Sequence, residues 1–221
     1  MLEPVRDQAA GLRRLFRPGR PALLPLGCTT GDAADRAGAG GFARALAHAG
    51  HRPVLLDLLG EAEPDDEFPR IDAGRLLPPG ADGRALLALI ESLERRAAAG
   101  FDVVLVAADP LRLADLTVGI AQRIVLVAQP QGSDLARAYA QVKALHLAHG
   151  LGEYVTTFPD AQSSASALAW HGRLAATAAR FLGVAIEFGG IVAAARGNRS
   201  ERERIALDAF RWASPIPASV A

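Results

Sequence analysis

A chain of 221 residues, half of them apolar, is long enough to bury one full core, and its 24 acidic and 24 basic residues cancel. That balance excludes nucleic-acid binding through a global positive field, and a single cysteine, Cys28, excludes an internal disulfide framework. Neither a signal-peptide pattern nor an apolar run of bilayer length is present, so the cytoplasm is the expected compartment.

The first twenty residues read as an arm (1–20) ahead of one α/β domain (21–221). Val5, Ala9, Leu12 and Phe16 recur at i, i+4, i+7 and i+11, which gives a helix one narrow apolar stripe. Asp7 sits near the positive end of such a helix, and Arg13, Arg14 and Arg17 near the negative end. Arg17-Pro18-Gly19-Arg20-Pro21 then stops it. A helix this short is marginal alone, so the stripe needs a surface, on another protein or on its own domain.

From residue 22 to about 212, short apolar runs alternate with longer helical patterns, the rhythm of a mostly parallel twisted sheet with helices on both faces. The expected strands are Ala22–Leu26, Pro53–Leu58, Asp102–Ala107, Ile124–Ala128, Tyr154–Phe158 and Ala185–Ile191, most of them apolar on both faces. Between them, Gly41–Gly50 reads as a short helix, and Asp82–Ala99 as a capped one with Leu86, Leu89, Ile90 and Leu93 on one face. Ser133–His149 buries Leu135, Tyr139, Val142 and Leu145; Ser164–Leu182, begun by Ser163, Ser164 and Ser166, buries Leu168, Leu174, Ala178 and Phe181. The stretch Leu59–Gly80 is acidic, proline-rich and aperiodic, a surface excursion. Asn198–Trp212 is an arginine-rich helix that either touches a membrane or closes the sheet, and Glu201, Glu203 and Asp208 dilute its positive face in favour of the second.

Two smaller constellations are weighed and set aside. His146 and His149 lie three apart on one helix without a third metal ligand in view, and read as surface histidines at a helix C-terminus. Cys28 follows a strand but has no identifiable base, and reads as a small buried residue.

The arm's octet Asp7-Gln8-Ala9-Ala10-Gly11-Leu12-Arg13-Arg14 resembles the DQAxxLR element that opens the FlhG (FleN, YlxH) family, the MinD/ParA-type regulators of flagellar number and placement. The far half of the chain resembles the same family. Ala128-Gln129-Pro130-Gln131-Gly132-Ser133-Asp134-Leu135-Ala136-Arg137-Ala138-Tyr139 follows its Thr-Pro-Glu-Pro and Ser-Leu-x-Asp-Ala-Tyr pattern. Phe181-Leu182-Gly183-Val184-Ala185-Ile186-Glu187-Phe188-Gly189-Gly190-Ile191 follows its late strand, while Thr157 replaces a usual asparagine. The resemblance implies a MinD/ParA-like P-loop NTPase fold, an arm that stimulates the signal-recognition-type GTPase FlhF, and action in the cytoplasm, the cell pole included. On that basis Asp7, Gln8, Ala9, Leu12, Arg13 and Phe16 are the candidate partner-binding residues, and a flagellar transcription factor or switch component is a further candidate partner.

The nucleotide site departs from the family. Matching Gly41-Phe42-Ala43-Arg44-Ala45-Leu46-Ala47 and Val54-Leu55-Leu56-Asp57 to the family's first helix and second strand sets KGGVGKT on Thr30-Gly31-Asp32-Ala33-Ala34-Asp35-Arg36. Both lysines are gone, replaced by Thr30 and Asp35, and Lys143, the only lysine of the chain, lies on a later helix. A carboxylate facing a triphosphate is repulsive by about 1 kcal/mol per close pair even in bulk water. The metal-side aspartate of the third strand falls on Ala107, with Asp109 two residues late; Asp57 keeps the first acid of an Asp-x-Asp pair whose second falls on Leu59. A degenerate pocket of Thr30, Gly31, Asp35, Arg36, Asp57, Ala107 and Asp109 is therefore expected, with no catalytic residue, no metal and no cofactor. Two alternatives stay open: a working ATPase holding ATP and magnesium through Arg36 and Asp109, or an adaptor of another MinD-like system such as cellulose secretion or pilus placement.

Overall fold

A computed structural model describes residues 21–217 apart from 61–63, 98–99, 131–133, 160–162 and 193–198. The arm and its candidate contacts Asp7, Gln8, Ala9, Leu12, Arg13 and Phe16 lie outside the described residues.

The strands are β1 (Ala22–Cys28), β2 (Pro53–Asp57), β3 (Arg70–Asp72), β4 (Val103–Ala108), β5 (Arg123–Val127), β6 (Glu153–Phe158), β7 (Ala185–Ile191) and β8 (Ser214–Pro215). The helices are α1 (Ala33–His48), α2 (Gly83–Arg96), α3 (Pro110–Thr117), α4 (Asp134–His149), α5 (Ser164–Leu182) and α6 (Arg199–Trp212). Seven strands run parallel in the order β3-β2-β4-β1-β5-β6-β7, and β8 pairs antiparallel with the start of β1. The chain leaves β1 towards β2 and later returns past it to β5, so the order reverses at β1. A crevice outside the carboxyl ends of the strands forms at such a reversal.

Each central strand is apolar on both faces because each face is covered. Val104, Val106 and Leu126 point into the core formed with α2, α3, α4 and α5. Their neighbours Leu105, Ala107, Val125 and Val127 point into the core formed with α1 and α6. Alternation along a pleated strand sends successive side chains to opposite faces.

The expected α/β class and six strands are present, with boundaries shifted by a residue or two. Three expectations need correction, and two elements are additional to those expected. The helix placed at Gly41–Gly50 starts at Ala33, because Asp32 caps it and the alanines before Gly38 favour helix. The glycines inside it serve packing: a Cβ at Gly38 would come within 2.8 Å of Pro159 and 2.9 Å of Val127. The excursion Leu59–Gly80 contains β3, which adds to the edge of β2. Helix α3 was not anticipated at all, nor was the two-residue β8. On α5 the buried stripe is Ala167, Trp170, Leu174 and Ala178, whereas Leu168 and Phe181 are 50% and 64% exposed. Trp170 packs edge-on against Phe158 at 5.4 Å, and its larger apolar area selects that face over the one with Leu168.

Helix α6 closes the sheet. Ile205, Ala206, Ala209 and Trp212 are buried against α1 and the strands, and Phe210 lies 4.3 Å from the His51 ring. Among the described residues no helix is long and apolar enough to cross a membrane.

Candidate functional site

The loop from Cys28 to Asp32 joins β1 to α1 at the reversal point, where a phosphate loop would sit. Gly31 adopts φ +70°, the left-handed conformation that lets the chain turn into the helix. Asp32 caps α1: its Oδ1 accepts from the amides of Ala34 at 2.9 Å and Asp35 at 3.0 Å. Asp35, third residue of the helix, reaches back the other way. Its Oδ2 accepts from the amide of Thr30 at 2.7 Å, the hydroxyl of Thr30 at 2.9 Å and the amide of Gly31 at 2.9 Å. Together the two aspartates form an extended capping box.

This geometry has a chemical consequence. Loop amides at a helix N-terminus are the groups that cradle an anion, and here two of them are spent on the chain's own carboxylate. Asp35 is fully buried, and burial pushes its carboxyl above the ordinary range, with the neighbouring Asp32 adding to the rise. The three donated hydrogen bonds pull the other way without offsetting it. Its second oxygen, Oδ1, is buried without a hydrogen-bond partner among the described residues. Arg36 folds onto the same loop, its Nη1 donating to the carbonyl of Gly31 at 2.9 Å.

The remaining pocket residues are also committed elsewhere. Asp57, 1% exposed at the end of β2, pairs with Arg70 at 2.5 and 3.1 Å and accepts from the amide of Leu59 at 2.8 Å. Ala107 is buried inside β4. Asp109 is the N-cap of α3, accepting from Leu111 and Arg112 amides at 3.0 and 3.3 Å, with Pro110 opening the helix. Lys143 is exposed on α4. The structure thus brings Thr30, Gly31, Asp35 and Arg36 together and fixes Asp57 and Asp109 in separate local networks.

Two features escaped the sequence reading. Arg70 is the partner of Asp57, and it lies on β3, three residues without the apolar alternation that marks a strand in sequence. Beside the crevice, the amide nitrogen of Gln129, the hydroxyl of Thr29 and the amide oxygen of Gln141 are buried without partners among the described residues, although Gln141 Nε2 donates to the carbonyl of Thr29 at 3.2 Å. Cys28 is 2% exposed, and burial, with Asp35, Asp57 and Asp32 nearby, raises its thiol well above the usual range; it is an unreactive core residue. His146 lies 2.9 Å from the carbonyl of Leu151, and His149 lies 3.5 Å from Asp115. No cluster of metal-ligating side chains exists among the described residues.

The parallel sheet, its strand order and its flanking helices give an α/β fold that matches the fold of MinD/ParA-like P-loop NTPases. A plasmid partition protein from Borrelia burgdorferi is similar over 87% of this chain and 99% of its own, at 8% identity and a TM-score of 0.52. The MinC:MinD cell division protein complex of Aquifex aeolicus is similar over 86% of this chain and 94% of that one, at 14% identity and a TM-score of 0.50. Identities this low establish the fold alone. No protein-family model matches the sequence, and no curated protein matches it.

Proposed function

We propose that this protein is a FlhG-like regulator of flagellar number or placement that acts by protein contact and has lost ATP hydrolysis. The observation that carries the reading is the seating of the Asp35 carboxylate on the Thr30 and Gly31 amides, where a phosphate would otherwise be held. An incoming triphosphate would have to displace that carboxylate and then face its charge, with no lysine at the loop and with Arg36 turned to the carbonyl of Gly31. The metal side supports the same reading, since Asp57 is neutralised by Arg70 and Asp109 caps a helix.

Output then falls to the N-terminal arm. Leu12 and Phe16 supply the apolar grip on the FlhF-type GTPase, while Gln8 or Arg13 reaches its nucleotide. Titration calorimetry with Mg-ATP is expected to show no binding heat; micromolar binding would favour a working ATPase that uses Arg36 and Asp109. A synthetic peptide of residues 1–20 is expected to accelerate GTP hydrolysis by FlhF, and no acceleration at saturating peptide defeats the proposal.

A further inference from the structure

At the opposite end of the sheet from the crevice, a cleft of about 440 Å³ opens beside Pro53 and Val54, the first residues of β2, near the last turns of α1 and α2. Phe68, Ile71, Leu93 and Phe101 make its apolar lining, and Glu67, Arg52 and Arg96 supply charges of both signs. Its volume suits a small molecule or a pair of large side chains.

The described chain begins next to this cleft. The Ala22 amide donates to the carbonyl of Asp102 at 2.9 Å, and the Asp102 amide donates to the carbonyl of Arg52 at 3.0 Å. Two strand spacings, about 10 Å, therefore separate Ala22 from the cleft residue Arg52. Residues 17–20, extended, span about 13 Å. Residue 16 can thus reach the cleft with the domain unmoved. Leu12 and Phe16 are four residues apart, so on a helix they stand side by side as two bulky apolar groups.

We propose that the N-terminal arm, residues 1–20, docks in this cleft of its own domain, inserting Leu12 and Phe16 against Phe68, Leu93 and Phe101. The arm carries charges of both signs, Glu3 and Asp7 with Arg13, Arg14 and Arg17, as the cleft does. Because one stripe serves both surfaces, docking at home and docking on another protein exclude each other. A partner must therefore compete for the arm, and filling the cleft releases it. This goes beyond the proposed function and rests on the amphipathic arm, not on the identity of its partner.

Hydrogen-exchange mass spectrometry of the full chain tests it. Amides 5–16 are expected to exchange at least about tenfold more slowly than in a free peptide of residues 1–20. The protection should vanish in the Leu12→Ser/Phe16→Ser double variant and in Ala97→Trp, which fills the cleft, with circular dichroism melting confirming that both stay folded. Should Ala97→Trp fail to fold, Leu93→Ser reads the same contact. Exchange at the free-peptide rate overturns the proposal, as does protection that survives the cleft changes. Protection that falls on dilution overturns it by assigning the arm to a second copy, and so does a small molecule retained in the cleft, seen by native mass spectrometry, with the arm unprotected. Failure of the GTPase assay with arm protection intact would remove the proposed function and leave this inference standing.

Discussion

At the scale of single residues, Asp35 decides how the crevice is read. The same two amides can serve a helix cap or a phosphate, and in this chain a carboxylate four or five positions away takes them. Asp35→Ala removes the acceptor for two amides and a hydroxyl, and is expected to cost about 1–3 kcal/mol in urea unfolding. Asp35→Asn keeps an acceptor and is expected to cost less. It should also flatten the acid branch of the stability curve. Burial holds the folded carboxyl above its ordinary 3.8, so the folded state binds more protons there and stability falls as pH rises through that window. Asp32-Ala33-Ala34-Asp35 has the spacing of a capping box, and it coincides with the positions at which the family resemblance sets a phosphate loop. The complete burial of Asp35 was not legible, since burial is set by the packing of the whole fold and not by local spacing.

Among the elements, β3 and α3 show how local signals compete with an alignment. Asp109-Pro110 is an N-cap followed by a proline in the first turn, a standard helix start. Asp109→Ala is therefore expected to lower stability by about 1 kcal/mol and to leave every ligand titration unchanged. Strand β3 has only three residues and no apolar alternation, so its existence depends on the edge of β2 and on one ion pair. Arg70→Ala leaves Asp57 buried and uncompensated, with an expected loss of about 3–5 kcal/mol in denaturant unfolding. Hydrogen exchange should show the loss concentrated in residues 70–72. An equal loss from Asp57→Asn alone, without added loss in the double variant, would confirm that the pair acts as a unit.

For the whole molecule, two half-buried histidines connect distant parts of the fold. His171 on α5 lies 2.7 Å from the hydroxyl of Thr156 and against Phe188, and His51 packs on Phe210; burial lowers both below their ordinary 6.5. Asp102 partly opposes the shift at His51. The unfolded chain then binds more protons just below pH 6.5, so stability is full above that value and is lost as pH falls through it. Urea midpoints are expected to drop between pH 7.5 and 5.5, and a His51→Gln/His171→Gln variant should drop less. What the sequence determined by itself was the α/β class, the six main strands, the caps at Asp82 and Ser163 and the lack of a lysine at the loop, because apolar periodicity, helix-start chemistry and residue type are local properties of the chain. Only the tertiary structure decided which face of α5 is buried, that α6 closes the sheet, that Arg70 neutralises Asp57 and that Asp35 faces its own loop. Those outcomes depend on residues far apart in sequence competing for the same buried space and the same hydrogen-bond donors.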